Sequence, residues 1–301
     1  MDDKFHMTLP ENLFLARKLL VESIYNTAKL EGVNTTFPET EAILDGVNVP
    51  GAKLDDIQVI LNLRDAWRDV LVDLSTVNID LDFIKRINAS VSRNESLAWG
   101  ELRTGQIGIS GTNHKPGIPD GKEAAAAVDM LLSNASKSIT ERAIDLALYI
   151  MHEQLFWDGN KRTANIVANA VLIRGGAGVL SISTDNIAEF NRLLKQYYDT
   201  NDSQPLKNFL YTTAVVDFAS RVVPVNVPVN VPVNSTEQAV LDVVAEHPSA
   251  TYDDIAHRIG KTRKTVSRTI AALKQRGILR RHGSDKSGSW LIVVPTESRD
   301  E

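Results

Sequence analysis

Hydrophobic residues recur at intervals of three and four along most of the first two thirds of the chain. This spacing places apolar side chains on one face of an amphipathic helix. The pattern is clearest in the segments 13–30, 57–74, 139–156 and 162–172. Few stretches alternate with the period of two that is typical of strands. The pattern therefore predicts a mostly α fold with an all-helical core.

One segment, residues 102–121, departs from the helical pattern because it contains five glycines and two prolines. Within it, Gln106, Ile107, Gly108 and Ile109 form a polar and apolar alternation. Alternation of this kind is typical of a strand, and glycine and proline are typical of turns. The segment predicts a β-hairpin flap between helices, and an ordinary surface loop is the alternative.

Three consecutive copies of Val-Pro-Val-Asn occupy residues 223–234. A proline at every fourth position excludes a helix and a central strand. We expect an extended linker here, with an edge strand as the alternative. The linker separates a helical domain at 1–222 from a smaller domain at 235–296, which is followed by a short acidic tail at 297–301.

The composition agrees with two globular domains, since the chain has 301 residues, of which 43% are hydrophobic and 24% charged. The absence of cysteine excludes disulfides, iron–sulfur clusters and thiol catalysis, and the six histidines show no metal-ligand spacing. Any catalytic metal is therefore an oxygen-ligated one such as Mg²⁺. With no apolar run of ~18 residues and no secretory leader pattern, we expect a cytoplasmic protein without membrane contact.

The charge is distributed unequally along the chain. Residues 1–234 contain 22 Lys or Arg and 29 Asp or Glu, whereas residues 235–301 contain 11 and 9. Between Lys261 and Lys286 there are nine basic residues and one acidic residue. A local excess of positive charge of this kind is typical of nucleic-acid-binding surfaces.

The densest candidate chemistry is the run Asp158, Gly159 and Asn160, followed by Lys161 and Arg162, between two predicted helices. A loop that enters a helix near Lys161 exposes backbone N–H groups, and helix N-termini bind phosphate through such groups. Asp158 can hold a Mg²⁺ ion that bridges phosphate oxygens, and Arg162 can clamp a phosphate with its planar guanidinium. The alternative is a capped helix with solvated cations.

This stretch resembles the signature of the Fic (filamentation-induced-by-cAMP) family, His-x-Phe-x-(Asp/Glu)-Gly-Asn-x-Arg-x-x-Arg. The residues that match it in register are Phe156, Asp158, Gly159, Asn160 and Arg162. The likeness extends to Thr27, Glu31 and Gly32, which resemble the family's inhibitory motif, (Ser/Thr)-x-x-x-Glu-(Gly/Asn). The segment 36–46 resembles the stretch that follows that motif, and 102–111 lies where the family has its target-positioning flap.

The resemblance implies a helical Fic fold and the transfer of AMP from ATP to a hydroxyl group of a protein target. In the family the motif histidine is the general base, the acidic residue holds Mg²⁺, the Gly-Asn loop binds phosphate, and two arginines bind the triphosphate. Here Gln154 stands at the histidine position and Asn165 at the second arginine position. An amide has no useful proton affinity near neutral pH, so Gln154 cannot be the base.

Neighbouring residues do not obviously repair these two changes. In a continuing helix, residues two apart point about 200° apart, so His152 is expected to face away from the site and to be structural. The missing arginine leaves Glu31 without its expected partner unless Lys161 or Arg162 supplies one. An ordinary helix end with a following glycine is the alternative interpretation of the inhibitory motif.

The region after the linker resembles a winged helix-turn-helix. It predicts helices at 235–246, after Thr251 and at 262–275, followed by a hairpin around a basic tip. Thr251 and Asp254 approximate a capping box, and Val266, Ile270 and Leu273 are expected to face inward. Residues 262–275 are the expected recognition helix. The residues expected to contact duplex DNA are Lys261, Arg263, Lys264, Ser267, Arg268, Arg280, Arg281 and Lys286. Docking of an acidic protein is the alternative, and a homodimer is a further possibility.

These observations predict a nucleotide-binding Fic-like transcription regulator with degraded catalysis, which uses Mg²⁺ with ATP or another nucleotide and is coupled to DNA or partner binding. The alternative is an active protein adenylyltransferase that performs AMPylation of an unknown protein target. A further alternative is a phosphotransferase similar to the death-on-curing branch of the superfamily, whose sequence resembles the stretch 160–164 and which transfers a γ-phosphate.

Overall fold

The computed structural model describes residues 1–218, 235–247, 250–275, 278–282 and 289–292. The chain divides into two compact units, Met1–Phe218 and Ala219–Glu301. The predicted linker at 223–234, the hairpin tip with Lys286 and the acidic tail at 297–301 lie outside the described residues.

The first unit is mostly helical, as predicted. Its helices are α1 (Leu9–Lys18), α2 (Leu20–Leu30), α3 (Phe37–Leu44), α4 (Leu54–Asp73), α5 (Leu81–Val91), α6 (Gly121–Ser133), α7 (Ile139–Glu153), α8 (Asn160–Arg174), α9 (Ile187–Thr200) and α10 (Gln204–Phe209). Short 3₁₀ and π-helical turns occupy Thr184–Asn186 and Leu210–Ala214. Two short strands, β1 (Val179–Leu180) and β2 (Val215–Val216), pair antiparallel.

Local capping sets several of the helix starts. Thr8 and Thr36 each begin a capping box in which the threonine hydroxyl accepts a backbone N–H, and a glutamate three residues later accepts the threonine's own N–H. The segment 13–30, whose periodicity predicted helical structure, spans two helices. The α1 helix ends at Lys18, and Leu19, with φ −91° and ψ 5°, joins it to α2.

The α8 helix is the centre of the first unit and packs against α1, α4, α5, α7 and β1. Twelve of its 15 residues are buried, which is why it has no one-sided apolar stripe. Asn169 joins α8 to β1, because its Nδ2 donates to the Leu180 carbonyl at 2.9 Å and its Oδ1 accepts from the Leu180 N–H at 2.8 Å. This pair of hydrogen bonds ties the C-terminal half of α8 to β1.

The predicted β-hairpin flap is wrong, because residues 101–120 contain no helix and no strand. We refer to residues 102–120 as the flap loop. Alternate positions from Gly105 to Ser110 are more and less exposed, as the sequence alternation predicted, but no second strand pairs with them. The two ends of the loop are held instead by the buried side chain of Arg103, which donates to the carbonyls of Gly105 and Pro116 at 2.7 and 3.3 Å and to that of Gly117.

The described part of the second unit contains three helices and a hairpin in the predicted order. Its elements are α11 (Ser235–Glu246), α12 (Tyr252–Ile259), α13 (Arg263–Gln275), β3 (Leu279–His282) and β4 (Ser289–Ile292). The predicted capping box of Thr251 and Asp254 is present, and Gly260 ends α12 with φ 64°. The two strands pair antiparallel. None of the described helices in either unit is long and apolar enough to cross a bilayer.

Candidate functional site

A cavity of about 370 Å³ opens above the loop that joins α7 to α8, and we call it the loop cavity. The described residues that line it are Glu31, Ile109, Ser110, Thr112, Gln154, Trp157, Asp158, Gly159, Asn160, Lys161, Asn191, Leu194, Lys195 and Tyr198. The structure thus brings together the predicted loop, the glutamate of the inhibitory motif and Ile109 of the predicted flap. The volume is in the range of small-ligand sites.

The loop between α7 and α8 is shaped by its own side chains. The α7 helix ends at Glu153 because Gln154 adopts the left-handed conformation, with φ 47° and ψ 61°. Asn160 then accepts the Phe156 N–H through Oδ1 at 3.0 Å and donates to the Phe156 carbonyl through Nδ2 at 2.8 Å. Phe156 is fully buried and anchors the loop to the core.

The α5 helix supports the loop between α7 and α8 through hydrogen bonds of Asn88. Asn88 Nδ2 donates to the Asp158 carbonyl at 3.0 Å and to Thr163 Oγ1 at 3.2 Å. Gly159 has φ 75°, and a Cβ added there would lie 3.0 Å from the Val91 side chain, so a larger residue is disfavoured on both counts. Asn88 is a positioning residue that no local sequence pattern indicates, since it lies in a remote helix.

The N-terminus of α8 forms part of the cavity wall, through Gly159, Asn160 and Lys161. Gly159 is the N-cap and makes no side-chain capping hydrogen bond. The first N–H groups of a helix have no partner within the helix, and the positive end of its dipole lies there. This wall is therefore suited to bind a phosphate group.

Asp158 is the residue that can hold a metal ion at the cavity. Its side chain is 52% exposed, and Oδ1 accepts the Gly159 N–H at 2.6 Å. Among the described residues no three metal-ligating side chains cluster together. Mg²⁺ commonly takes one or two carboxylates and completes its shell with phosphate oxygens and water, so a single exposed carboxylate beside a phosphate site fits this ion.

Gln154 occupies the position of the motif histidine and is bonded to three different elements. Its Nε2 donates to the Met151 carbonyl at 2.6 Å and to the Tyr198 hydroxyl at 3.2 Å, and its Oε1 accepts from Asn160 Nδ2 at 3.1 Å. Burial raises the pKa of the Tyr198 phenol well above its ordinary value, so this neighbour is also not a base at neutral pH. Gln154 acts as a cross-link and offers no proton acceptor of useful basicity.

His152 lies away from the loop cavity, where a structural role was expected. Its ring packs on those of His114 and Tyr197, with centroid distances of 4.1 and 4.6 Å. Its Nδ1 lies 2.8 Å from Glu153 Oε1, and this hydrogen bond lowers the pKa of the Glu153 carboxyl. His152 therefore does not stand in for the missing base.

Arg162 and Asn165, which were both predicted to bind phosphate, are not among the described residues that line the cavity. The Arg162 side chain is 3% exposed, and its NH1 lies 2.8 Å from Glu95 Oε2 and 3.1 Å from the Val91 carbonyl. The guanidinium therefore pairs with Glu95, and its NH2 also lies 3.8 Å from Oδ1 of Asp158 at the cavity. Asn165 is buried and accepts a long hydrogen bond of 3.4 Å from Thr27 Oγ1.

Glu31 of the predicted inhibitory motif lies at the cavity, paired with Lys161. Lys161 Nζ is 3.5 Å from Glu31 Oε2 and donates to the Leu30 carbonyl at 3.2 Å. Lys161 thus supplies the partner that the missing arginine would have provided. The alternative interpretation also applies, because α2 ends at Leu30 and Gly32 follows with φ 79°.

Arg103 joins the flap loop to the cavity loop, although the sequence did not indicate it as a site residue. It is 1% exposed. Besides its bonds to the flap loop, it donates to the carbonyls of Gln154 and Glu153 at 2.6 and 3.2 Å. Burial lowers the pKa of the guanidinium. Its charge lies at the C-terminus of α7, where the helix dipole favours a cation.

In the second unit, α13 presents a basic face. Val266, Ile270 and Leu273 are fully buried, as predicted, while Lys264 and Arg268 are exposed. A concavity with a volume of about 660 Å³ lies on this face. Its lining, which we call the helix surface, consists of Tyr252, Arg263, Lys264, Ser267, Arg268 and Ala271. Arg263 Nε lies 3.1 Å from Asp253 Oδ1, and both side chains are exposed. Lys261, just before α13, is exposed as well.

The hairpin packs against the helices through Trp290, whose Nε1 donates to the Ala250 carbonyl at 2.8 Å. The guanidinium of Arg281 lies over the Trp290 ring at 4.5 Å from its centroid. Arg281 therefore packs partly on the hairpin itself. The side chain of Arg280 and all of Lys286 lie outside the described part of the chain.

Comparison with known proteins identifies a domain in each unit. The Fic/DOC family model matches residues 78–172, which include the loop between α7 and α8. The model of the Crp-like helix-turn-helix domain matches residues 238–292. Two relatives are a protein adenylyltransferase Fic of Nematostella vectensis, 28% identical over 63% of this chain, and protein adenylyltransferase fic-1 of Caenorhabditis briggsae, 25% identical over 56%. These matches cover only 45% and 34% of the two relatives.

Solved structures share the fold. Fic-1 from C. elegans superposes with a TM-score of 0.57 at 20% identity, over 87% of this chain and 66% of that one. A Fic family protein from Desulfovibrio desulfuricans superposes with a TM-score of 0.58 at 16% identity, over 93% and 88% of the two chains. At these identities the likeness concerns the fold.

Proposed function

We propose that this chain, which contains a Fic domain and a Crp-like helix-turn-helix domain, is a nucleotide-responsive DNA-binding regulator whose Fic site does not catalyse efficient AMP transfer. The proposal combines three parts: a nucleotide bound at the loop cavity, a missing general base, and duplex DNA bound by the second unit. Each part is supported by a different group of contacts.

The observation that carries the proposal is the bonding of Gln154. Its amide is engaged by Met151, Tyr198 and Asn160, and an amide has no basicity to lend to a target hydroxyl. Loss of a general base typically costs about 10²–10⁴ in rate. The cavity therefore keeps the parts that bind a nucleotide and lacks the part that activates the acceptor.

The parts that favour nucleotide binding are the N-terminus of α8, whose N-cap makes no side-chain capping hydrogen bond, and the exposed carboxylate of Asp158. When bound, Mg²⁺ would supply positive charge between Asp158 and the phosphate oxygens. Asn160 and Asn88 hold the loop in position. Asn88 donates to the Asp158 carbonyl, whereas Asn160 donates to the side-chain oxygen of Gln154 at the catalytic position.

The helix surface favours duplex DNA as the partner of the second unit. An exposed run of basic side chains on the outer face of the second helix of a helix-turn-helix is placed to contact phosphates and major-groove edges. Lys264, Ser267 and Arg268 lie on that face, opposite the buried Val266 and Ile270.

Labelling with α-³²P-ATP and Mg²⁺ tests the catalytic part. We expect the full chain to label neither itself nor added protein above background, whereas Gln154→His restores a base and gives measurable transfer. Gln154→Met is the matched control, because it changes the same contacts without adding a base. Strong labelling by the unmodified chain would contradict this part of the proposal.

An active protein adenylyltransferase is the second candidate, favoured by the names of the curated relatives and by the intact run from Asp158 to Asn160. The same labelling experiment distinguishes the regulator from the active adenylyltransferase. An active enzyme would label protein with the unmodified chain, and its base would come from solvent or from the target protein.

The coupling between the two units is tested by measuring DNA affinity of the full chain with and without saturating nucleotide. We expect a change of about fivefold or more, the lower end of typical allosteric coupling, and an equal change in nucleotide affinity when DNA is present. Identical DNA affinity in both conditions contradicts the coupling and leaves two separate binding activities.

A further inference from the structure

The charged side chains that line the loop cavity balance one another. Among the described lining residues, Glu31 and Asp158 are acidic and Lys161 and Lys195 are basic. Their formal charges sum to zero at neutral pH. A nucleoside triphosphate carries up to four negative charges. The number of phosphates that the cavity can accept therefore depends on whether each lysine is free or already paired with a carboxylate.

Lys161 is already occupied. Its Nζ lies 3.5 Å from Glu31 Oε2 and donates to the Leu30 carbonyl at 3.2 Å. The side chains of Lys161 and Glu31 are 29% and 21% exposed, so solvent screens this pair only partly. A phosphate that approaches Lys161 meets the Glu31 carboxylate beside it.

Lys195 is also occupied. Its Nζ lies 2.5 Å from Asp199 Oδ2, and this contact lowers the pKa of the Asp199 carboxyl, so the acid stays ionised. Thr112 of the flap loop donates to the other oxygen of the same carboxylate at 2.5 Å. The Lys195 and Asp199 side chains are 54% and 34% exposed, so this pair offsets the positive charge of Lys195 in part.

The arginine of the motif adds no free charge. Arg162 is 3% exposed and is paired with Glu95 at 2.8 Å and with Asp158 at 3.8 Å, and the position three residues later is the neutral Asn165. Within the described cavity wall each lysine has a carboxylate partner, so the N-terminus of α8 is the remaining source of positive charge for an anion. One helix N-terminus provides about half a unit of positive charge and the donors for one phosphate.

We infer that the loop cavity selects a nucleotide with a single phosphate group, that is, a nucleoside monophosphate over the corresponding di- and triphosphate. This inference rests on the proposed nucleotide binding and specifies its ligand class. Every phosphate beyond the first must lie near Glu31 and Asp158. The lysines at the cavity, Lys161 and Lys195, already pair with carboxylates of the chain. The site then reports the level of a nucleoside monophosphate to the second unit.

Titration calorimetry of the full chain with AMP, ADP and ATP tests the inference, first in EDTA and then in Mg²⁺. In EDTA we expect AMP to bind most tightly and ATP at least about tenfold more weakly, because each added phosphate brings repulsion from Glu31 and Asp158 that no metal ion offsets. In Mg²⁺ the gap narrows, since the ion offsets part of the added charge.

A charge variant sharpens the test. Glu31→Gln removes one carboxylate and frees Lys161, so the affinity for ATP should rise at least fivefold more than the affinity for AMP. Glu41→Gln on the exposed surface of α3 is the control, because it makes the same change of net charge away from the cavity.

Three results decide the matter. ATP binding as tightly as AMP or more tightly in EDTA overturns the inference while nucleotide binding itself stands. An equal gain for AMP and ATP in Glu31→Gln also overturns it. Failure of all three nucleotides to bind contradicts the proposed function, and the inference falls with it.

Discussion

Replacement of Arg103 by methionine should strongly destabilise the first unit and loosen the flap loop. Its buried guanidinium donates to five backbone carbonyls, two at the end of α7 and three in the flap loop. Methionine has similar length but no donor, so these carbonyls lose their partner. Hydrogen bonds to charged groups contribute about 1.5–3 kcal/mol each, but bonds that share one donor group are not additive.

We expect a loss of about 3–5 kcal/mol in the free energy of unfolding, the range for breaking a buried charged network. For a unit of this size, 1 kcal/mol corresponds to about 2–4 °C in Tm, so the expected fall is about 6–20 °C. Arg103→Lys keeps the charge but has fewer hydrogen-bond donors. Its free energy of unfolding should lie between that of the unmodified chain and that of Arg103→Met. Arg192→Met is the control, since Arg192 forms an exposed pair with Glu189 within one helix, worth at most about 1 kcal/mol.

The assay is thermal unfolding followed by fluorescence and circular dichroism, together with amide hydrogen exchange of residues 104–118. Exchange in the flap loop should accelerate more than exchange in α4, which Arg103 does not contact. A change of less than about 0.5 kcal/mol in Arg103→Met, with unchanged exchange in the flap loop, would refute the role assigned to this residue.

Two further predictions concern the charge of each unit. Lys264→Ala should weaken binding to duplex DNA of any sequence. The slope of log affinity against log salt should decrease in magnitude by about 0.9, as expected for the loss of one phosphate contact. Fluorescence anisotropy across a salt series measures this slope, and an unchanged slope excludes Lys264 from the interface. The hydrogen bond from Lys207 lowers the pKa of Glu141 from 4.5 to about 2, so its contribution to stability is complete above about pH 4.5 and is lost as the pH falls toward 2. Glu141→Gln should therefore flatten the dependence of unfolding free energy on pH in that window, as measured by urea denaturation; an unaltered acid dependence contradicts this assignment.

Much of the local structure follows directly from short-range sequence patterns. The spacing of Val266, Ile270 and Leu273 predicts the buried face of α13, and all three are fully buried. Thr251 and Asp254 predict the start of α12, and their capping box is present. Such features depend on residues three or four apart, whose geometry in a helix is nearly independent of the rest of the chain.

The flap loop shows where a local pattern was insufficient. Alternation at Gln106 to Ile109 predicted a hairpin, and alternating exposure is observed at these positions without any strand pairing. Strand formation requires a partner at hydrogen-bonding distance, and alternation alone does not supply one. Here the buried guanidinium of Arg103 binds the carbonyls at both ends of the segment, which defines the loop without a ladder.

The candidate site also combines features that the sequence determines with features that depend on the tertiary structure. The sequence by itself determined that Gln154 stands where the motif has its base, because residue identity at a position in a motif needs no tertiary information. Only the tertiary structure decided that Arg162 faces Glu95 and that Lys161 faces Glu31, pairs separated by 67 and 130 positions along the chain. Helical periodicity specifies which side of a helix is buried, but the partner of each buried polar group depends on how remote helices pack around it.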